Sequence, residues 1–237
     1  MYVRRREGNT RDVTLDDADA RGDGSNAESE ALRIGRAEGR DSTTVLAARA
    51  WRGEPPVVDE TAYTAWAMPG WHSWNNMSPE LEFCAFACDL ARMVQPSLAI
   101  ETGTGQGFLT RRLTESLREG QRLLCFEAEP TWRDALASLP FFDDPRCDLS
   151  ADETPNADEF AAAQLCVFDS GFPMRRRELE LWSRSAPERA VVLVHDAGNR
   201  HPDWTPHADL ARLIDELGIP GVFLRNPRGG FLGMKAG

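Results

Sequence analysis

The sequence lacks any apolar run close to the roughly 20 residues that a membrane-spanning helix needs. The basic N-terminus, Met1 to Arg6, is not followed by an apolar stretch, so it does not resemble a secretory signal. A length of 237 residues suits one sizeable domain, or one domain with an unstructured extension. We therefore expect a soluble, cytoplasmic protein with no membrane partner.

Basic residues are fewer than acidic residues in this chain. The chain has 27 Lys and Arg against 38 Asp and Glu, a formal net charge of −11. Such a charge repels phosphate backbones at long range, so nucleic acid is not an expected partner. A small-molecule substrate is the expected partner, and a homo-oligomer remains open.

The cysteines are too few and too scattered for a disulfide framework. The five cysteines are Cys84, Cys88, Cys125, Cys147 and Cys166. Most of them lie inside apolar runs, which predicts reduced thiols in the core and not disulfides. Cys84 and Cys88 are one helical turn apart and could share a metal, although no second ligand pair is near them in the sequence.

Composition divides the chain into three regions, 1–55, 56–96 and 97–237. Residues 1–55 are poor in apolar residues, which predicts a disordered or weakly ordered tail, with a docking arm as the alternative. Residues 56–96 contain a tryptophan cluster and a helix predicted from Ser78, as N-cap, to about Gln95. The clustered tryptophans either pack on the sheet or form a lid over an acceptor: Trp66, Trp71 and Trp74.

Short apolar segments alternate with amphipathic helical segments in residues 97–237. Strands are predicted at 98–100, 123–126, 146–149, 165–168, 190–194, 222–224 and 231–234. This alternation predicts a doubly wound, mostly parallel α/β sheet with helices on both faces. Only a tight turn separates the last two strands, so they form a hairpin, and one edge strand must run antiparallel.

A glycine-rich turn, Glu101 to Gly107, follows the first predicted strand. Its glycines allow a tight turn and let a ligand lie against the backbone at the carboxyl end of the sheet. The spacing departs from the dinucleotide pattern G-x-G-x-x-G, because Phe108 stands in place of the third small residue. The acidic residue precedes the glycines, where a carboxylate can meet a cationic ligand.

This turn and its surroundings resemble class I S-adenosylmethionine (SAM)-dependent methyltransferases, from about Ser78 to the C-terminus. The resemblance implies a seven-stranded sheet of order 3-2-1-4-5-7-6 with an antiparallel last hairpin. It implies that Glu127 bonds the ribose hydroxyls of SAM and that Asp152 lies beside the adenine. The remaining residues implied to bind the cofactor belong to the turn: Glu101, Gly103, Thr104, Gly105 and Gly107.

Ionisable residues end the fourth and fifth predicted strands. Asp169, His195 and Asp196 point toward one crevice, which suggests metal ligation or acid–base chemistry. The pattern resembles metal-assisted small-molecule O-methyltransferases of the catechol, macrolide-sugar and cephalosporin-hydroxylase-like branches. That resemblance implies that Asp169 and Asp196 bind magnesium, with His195 as third ligand or general base. His195 replaces a carboxylate of those branches, although magnesium prefers oxygen ligands.

Three further features bear on the acceptor. The run Arg175 to Arg177 is expected on a solvated helix face, with Arg175 able to reach an anionic acceptor. His201 and His207 either line the acceptor pocket or face water. The segment Asp169 to Pro173 lacks the Asp/Asn-Pro-Pro-aromatic signature that nucleic-acid amino-methyltransferases usually show, which favours a small-molecule acceptor.

The sequence therefore predicts a SAM-dependent methyltransferase that acts on a hydroxyl of a small metabolite, with or without magnesium. Two alternatives remain. A nicotinamide-dependent oxidoreductase is disfavoured by the glycine spacing and the terminal hairpin. A non-catalytic protein with this fold would recruit a partner through residues 1–55.

Overall fold

The computed structural model describes residues 78–198, 205–226 and 228–237. The predicted tail (residues 1–55), its boundary with the next region, the tryptophan cluster and His201 all lie outside the described residues. In the part of the chain that is described, no helix combines the length and apolar character needed to cross a bilayer.

Helices and strands alternate along the described chain, as predicted. The helices are α1 (Leu81–Val94), α2 (Phe108–Ser116), α3 (Pro130–Ala137), α4 (Ala157–Ala162), α5 (Phe172–Ser185) and α6 (Thr205–Glu216). The strands are β1 (Leu98–Thr102), β2 (Arg122–Phe126), β3 (Cys147–Leu149), β4 (Leu165–Phe168), β5 (Val191–His195), β6 (Gly221–Leu224) and β7 (Gly230–Met234). A short 3₁₀ helix, Pro140–Asp143, precedes β3.

The seven strands form one sheet of order β3-β2-β1-β4-β5-β7-β6, which confirms the predicted doubly wound fold. Strands β1 to β5 pair in parallel, and β7 is antiparallel to both β5 and β6. The reversed strand is β7, one position inside the edge, which confirms the predicted antiparallel last hairpin. The crossover through α6 returns the chain to start β6 in the common direction, and the tight turn then sends β7 back between β5 and β6.

Two local features differ from the sequence prediction. Helix α1 begins at Leu81 with Glu80, not Ser78, as its N-cap, and the Glu80 side chain makes no capping bond because it points into the fold. Helix α4 was not predicted. It begins with a capping box in which Asn156 accepts from two backbone N–H groups and Glu159 reaches back, a pattern that is visible in the sequence.

Each face of the sheet carries its own apolar core. Because alternate residues of a strand face opposite sides, Leu193 packs with α1 and α2, whereas Val192 and Val194 pack with α5 and α6. All five cysteines are buried and free, which confirms the prediction of reduced core thiols. With both faces covered, ligands can approach the described sheet at the carboxyl ends of its parallel strands.

Candidate functional site

The glycine turn after β1 is held tightly against the end of β4. Gly103, Gly105 and Gly107 adopt left-handed backbone conformations with φ of 72°, 56° and 76°. A Cβ atom on Gly103 would lie 2.3 Å from the carbonyl oxygen of Asp169, so no other residue fits there. The glycine turn therefore packs directly against the backbone of Asp169, one of the predicted metal ligands.

Glu127 follows β2 and lies against the same turn. Its Oε2 accepts a 2.7 Å hydrogen bond from the backbone N–H of Gly105, and its Oε1 accepts one of 2.9 Å from the N–H of Glu129. Each carboxylate oxygen has a second lone pair, so the group can also accept from a diol. Burial raises the pKa of Glu127.

Trp132, in the first turn of α3, lies against the glycine turn at Gly105. Its ring carbon Cζ3 would lie 3.2 Å from a Cβ atom on Gly105. The sequence analysis missed this contact, and no pattern in the sequence marks it. The indole ring of Trp132 therefore lies beside the same glycine that Glu127 contacts.

Other predicted cofactor residues take different positions. Glu101 is buried within the sheet, where the Cys125 thiol lies 3.8 Å from its Oε2, and burial raises the pKa of Glu101 to about 8. The hydroxyl of Thr104 donates to the carbonyl of Phe126 at 3.1 Å and so ties the turn to β2. Asp152 lies exposed in the loop after β3, at the same edge of the sheet.

His195, the last residue of β5, is the centre of a buried network. Its ring nitrogen Nε2 lies 2.6 Å from Oε2 of Glu80, and Nδ1 lies 2.9 Å from Oδ1 of Asp169. The ring of Phe83 packs against it at 4.5 Å between centroids. The His195 side chain has no exposed surface, so neither nitrogen is open to an acceptor hydroxyl.

The acids around His195 keep it protonated. Burial alone would lower its pKa, but Asp196, Asp169 and Glu80 together raise the pKa of His195 to about 10. For Glu80 burial acts in the opposite direction and would raise the pKa of the carboxyl group. The facing imidazolium of His195 and Arg228 nevertheless hold the pKa of Glu80 below its usual value. Both ring nitrogens therefore donate, and His195 acts as a buried cation.

Two arginines neutralise the other carboxylates of the network. Nη2 of Arg228 lies 2.7 Å from Oδ2 of Asp196, and Nη1 of Arg175 lies 3.6 Å from the same oxygen. Nη2 of Arg175 also lies 3.1 Å from Oδ1 of Asp169. Although burial would raise it, the pKa of Asp196 is held well below its usual value by Arg228 and His195.

The backbone of Asp196 is strained at this point. Its φ of 55° is left-handed, a conformation that few residues other than glycine adopt and that clusters at functional sites. In this conformation, at the end of β5, the carboxylate of Asp196 lies against Arg175 and Arg228. The network thus contains three carboxylates, from Glu80, Asp169 and Asp196, and three cations.

The structure corrects two expectations about basic residues. Arg175 is not on a solvated face: its side chain is 3% exposed, and Nη1 donates to the carbonyl of His195 at 2.6 Å. Only Arg176 and Arg177 of that run are exposed. His207 does not face water either. It lies buried against Phe172, and burial lowers the pKa of His207 to about 4.

The sequence analysis also missed the contribution of the β6–β7 turn. Oε1 of Glu80 accepts from the backbone N–H of Arg228 at 3.1 Å, and the Asn226 amide donates to Glu80 at 3.3 Å. Glu80 therefore joins α1, β5 and the hairpin. No signal in the sequence marks these contacts, because pairing across such a sequence separation leaves no local pattern.

The predicted metal ligands are brought together, but not as an open site. One ligand atom from each of Asp169, His195 and Asp196 lies within 4.8 Å of the others. In this arrangement both His195 nitrogens bond carboxylates, and guanidinium groups contact both aspartates. These contacts use both ring nitrogens of His195, Oδ1 of Asp169 and Oδ2 of Asp196, so the oxygens left for a divalent cation, Oδ2 of Asp169 and Oδ1 of Asp196, lie next to two guanidinium groups that repel it. The residues present therefore do not fit magnesium as they stand.

No protein-family model matches the chain, and no curated protein matches its sequence. Solved structures do match its fold. The O-methyltransferase TomG from Streptomyces achromogenes, in complex with SAM, aligns with a TM-score of 0.55 at 16% identity, over 81% of this chain and 90% of TomG. An O-methyltransferase from Bacillus cereus, in complex with S-adenosylhomocysteine (SAH), aligns over the same shares at 13% identity and a TM-score of 0.54. A putative O-methyltransferase from Klebsiella pneumoniae aligns over the same shares at 15% identity and 0.55. The chain thus has the fold that the sequence resemblance implied.

Proposed function

We propose that this protein is a SAM-dependent methyltransferase that transfers the methyl group to a hydroxyl of a small molecule. The observation that carries the proposal is the contact of Glu127 with Gly105, because it sets a carboxylate over the glycine turn at the carboxyl edge of the sheet. The O-methyltransferases with this fold, two of them solved with SAM or SAH, support the same assignment.

In the proposed complex, SAM lies along the glycine turn with its ribose hydroxyls donating to Glu127. Trp132 covers the nucleoside, and the close fit of Gly103 against Asp169 brings the sulfonium end toward the carboxylate network. Sulfonium is a good leaving group, so the protein has mainly to align the attacking oxygen with the methyl carbon.

Asp169 is the residue best placed to receive the acceptor hydroxyl. Its side chain is 11% exposed, and its Oδ2 makes no hydrogen bond to any residue that the structure describes, whereas Oδ1 binds Arg175 and His195. We assign Oδ2 as the acceptor of the hydroxyl proton. As the oxygen forms its bond to the methyl carbon, the carbon–sulfur bond breaks and SAH leaves.

His195 and Asp196 are positioning residues in this proposal. His195 donates to Oδ1 of Asp169 and thereby fixes the orientation of Oδ2, while Asp196 balances the charge of the two arginines. The magnesium ion that the sequence resemblance implied is not used in any step.

The direct test is a screen for methyl transfer with isotopically labelled SAM and a panel of small phenols, catechols and sugars. The proposal predicts a product heavier by one labelled methyl group, attached to oxygen, and equimolar SAH. A product methylated on nitrogen or carbon would overturn the assignment to a hydroxyl, and SAM left intact with every acceptor would argue against the enzyme.

A further inference from the structure

The two buried arginines occupy the part of the network where a divalent cation would have to bind. Arg228 contacts Asp196, and Arg175 contacts both Asp196 and Asp169. A cation at the centre of Asp169, His195 and Asp196 would lie beside two guanidinium groups and an imidazole ring whose nitrogens both face carboxylates. Like charges at such distances repel strongly in a buried site.

Both arginines are anchored by the backbone as well as by the aspartates. Arg175 donates to the carbonyl oxygens of His195 and Ser170, and its side chain is almost fully buried. Arg228 donates to the carbonyl of Ser78 at 3.4 Å, and its own backbone N–H bonds Glu80. These additional bonds oppose any movement that would open the aspartates to an incoming ion.

The carboxylates of the network already have partners. Arg175 and Arg228 hold Oδ1 of Asp169 and Oδ2 of Asp196, and the ring nitrogens of His195 lie against Asp169 and Glu80. Glu178 adjoins the network and accepts hydrogen bonds from the hydroxyls of Ser170 and Thr102. A divalent ion would therefore have to displace a guanidinium group from the aspartates before it could use those oxygens.

From these contacts we infer that Arg175 and Arg228 take the place of a divalent cation in this chain, and that its reacting end works without a metal. Arg175 is then a positioning residue that fixes Asp169 next to the glycine turn. The part of this inference that concerns turnover rests on the proposed function, whereas the part that concerns metal binding does not.

Binding of Mn²⁺ to the full-length protein tests the inference, followed by electron paramagnetic resonance of the free ion. We expect the wild type and Asp196→Asn to bind Mn²⁺ equally, because any weak binding comes from the acidic surface. We expect Arg228→Gln, which frees a carboxylate oxygen of Asp196, to bind at least ten-fold more tightly than the wild type. Arg225→Gln, which removes an exposed arginine from the same turn, is the matched control and should behave as the wild type.

A wild-type site that is lost in Asp196→Asn would overturn the inference, as would an Arg228→Gln variant that folds yet gains no affinity. Should Arg228→Gln fail to fold, the comparison of wild type with Asp169→Asn decides in the same way. Methyl transfer should also be unchanged by EDTA, and activity restored only by Mg²⁺ would contradict metal-free turnover. If no methyl transfer is found with any acceptor, the proposed function fails, but the Mn²⁺ titrations still decide the inference.

Discussion

Glu80 and His195 are 115 residues apart in the sequence and 2.6 Å apart in the structure, between Oε2 and Nε2. The contact joins the start of α1 to the end of β5 inside a buried network of carboxylates and cations. Asp196 and Asp169 face Nδ1 of His195 and Glu80 faces Nε2, and these three carboxylates together raise the pKa of the ring and hold it as a cation. The region that sequence analysis interpreted as a metal site or a general base is thus an internally paired cluster.

The first prediction concerns stability. Replacing Glu80 by Gln leaves the His195 cation without one of its three carboxylate partners, and without the one that faces Nε2. We therefore expect Glu80→Gln to lower the free energy of unfolding by about 3–5 kcal/mol, as for other broken buried pairs. The control is Asp89→Asn on the same helix, where an exposed pair with Arg92 should contribute about 0.5 kcal/mol or less. Urea denaturation of both variants measures the difference. Equal decreases in the free energy of unfolding for Glu80→Gln and Asp89→Asn would show that the buried Glu80–His195 contact stabilises the fold no more than an exposed ion pair.

The second prediction concerns the reacting oxygen. Since Asp169 is assigned to accept the hydroxyl proton, Asp169→Asn should lower kcat by about 10²–10⁴-fold and leave the affinity for SAH within about two-fold. Asp148→Asn removes a carboxylate from an exposed pair with Arg122 and serves as the control. Steady-state kinetics and SAH titrations provide both values. If Asp169→Asn keeps the wild-type kcat, Asp169 does not accept the hydroxyl proton and the assignment is wrong.

The third prediction concerns the ribose. A charged hydrogen bond is worth about 1.5–3 kcal/mol, so Glu127→Gln should weaken SAH binding about 10–100-fold. An SAH analogue without ribose hydroxyls should bind the wild type and Glu127→Gln alike, which makes a double-mutant cycle. The neighbouring exposed carboxylate provides the control variant Glu129→Gln, which should bind SAH normally. A cycle with no coupling between Glu127 and the hydroxyls would contradict the assignment.

The fourth prediction concerns pH. Burial raises the pKa of Glu101 from an ordinary value near 4.5 to about 8 in the folded protein. Between these values the folded state binds more protons than the unfolded state, so this residue makes stability fall as pH rises from 4.5 to 8. Glu101→Gln should flatten that fall, which urea titrations at pH 5, 6, 7 and 8 would detect. A parallel pH dependence in wild type and variant would show that Glu101 ionises normally.

The fold was predictable because its evidence is local. Apolar runs such as Leu165 to Phe168 are short and bounded, and the glycine turn follows the first of them. The start of α1 was less accessible, since it depends on contacts between distant segments. Helix α4 is marked in the sequence by the capping box of Asn156 and Glu159.

The candidate site was predictable only in part, for a physical reason. Strand ends converge at one edge of a parallel sheet, so Asp169, His195 and Asp196 could be grouped from the sequence. Their ionisation could not, because it depends on Glu80, Arg175 and Arg228, which come from two helix starts and a hairpin turn. Pairing between such distant residues leaves no spacing or periodicity to read.

The central claim is that the turn from Gly103 to Gly107 binds the nucleoside of SAM, and calorimetric titration with SAH tests it most directly. Gly105→Arg would fill the turn beside Trp132, whereas Gly218→Arg places the same side chain at another left-handed glycine, near the opposite edge of the sheet with open space around it. We predict binding to the wild type and to Gly218→Arg and none to Gly105→Arg. No heat from the wild type at millimolar SAH, or equal binding by both variants, would contradict the claim.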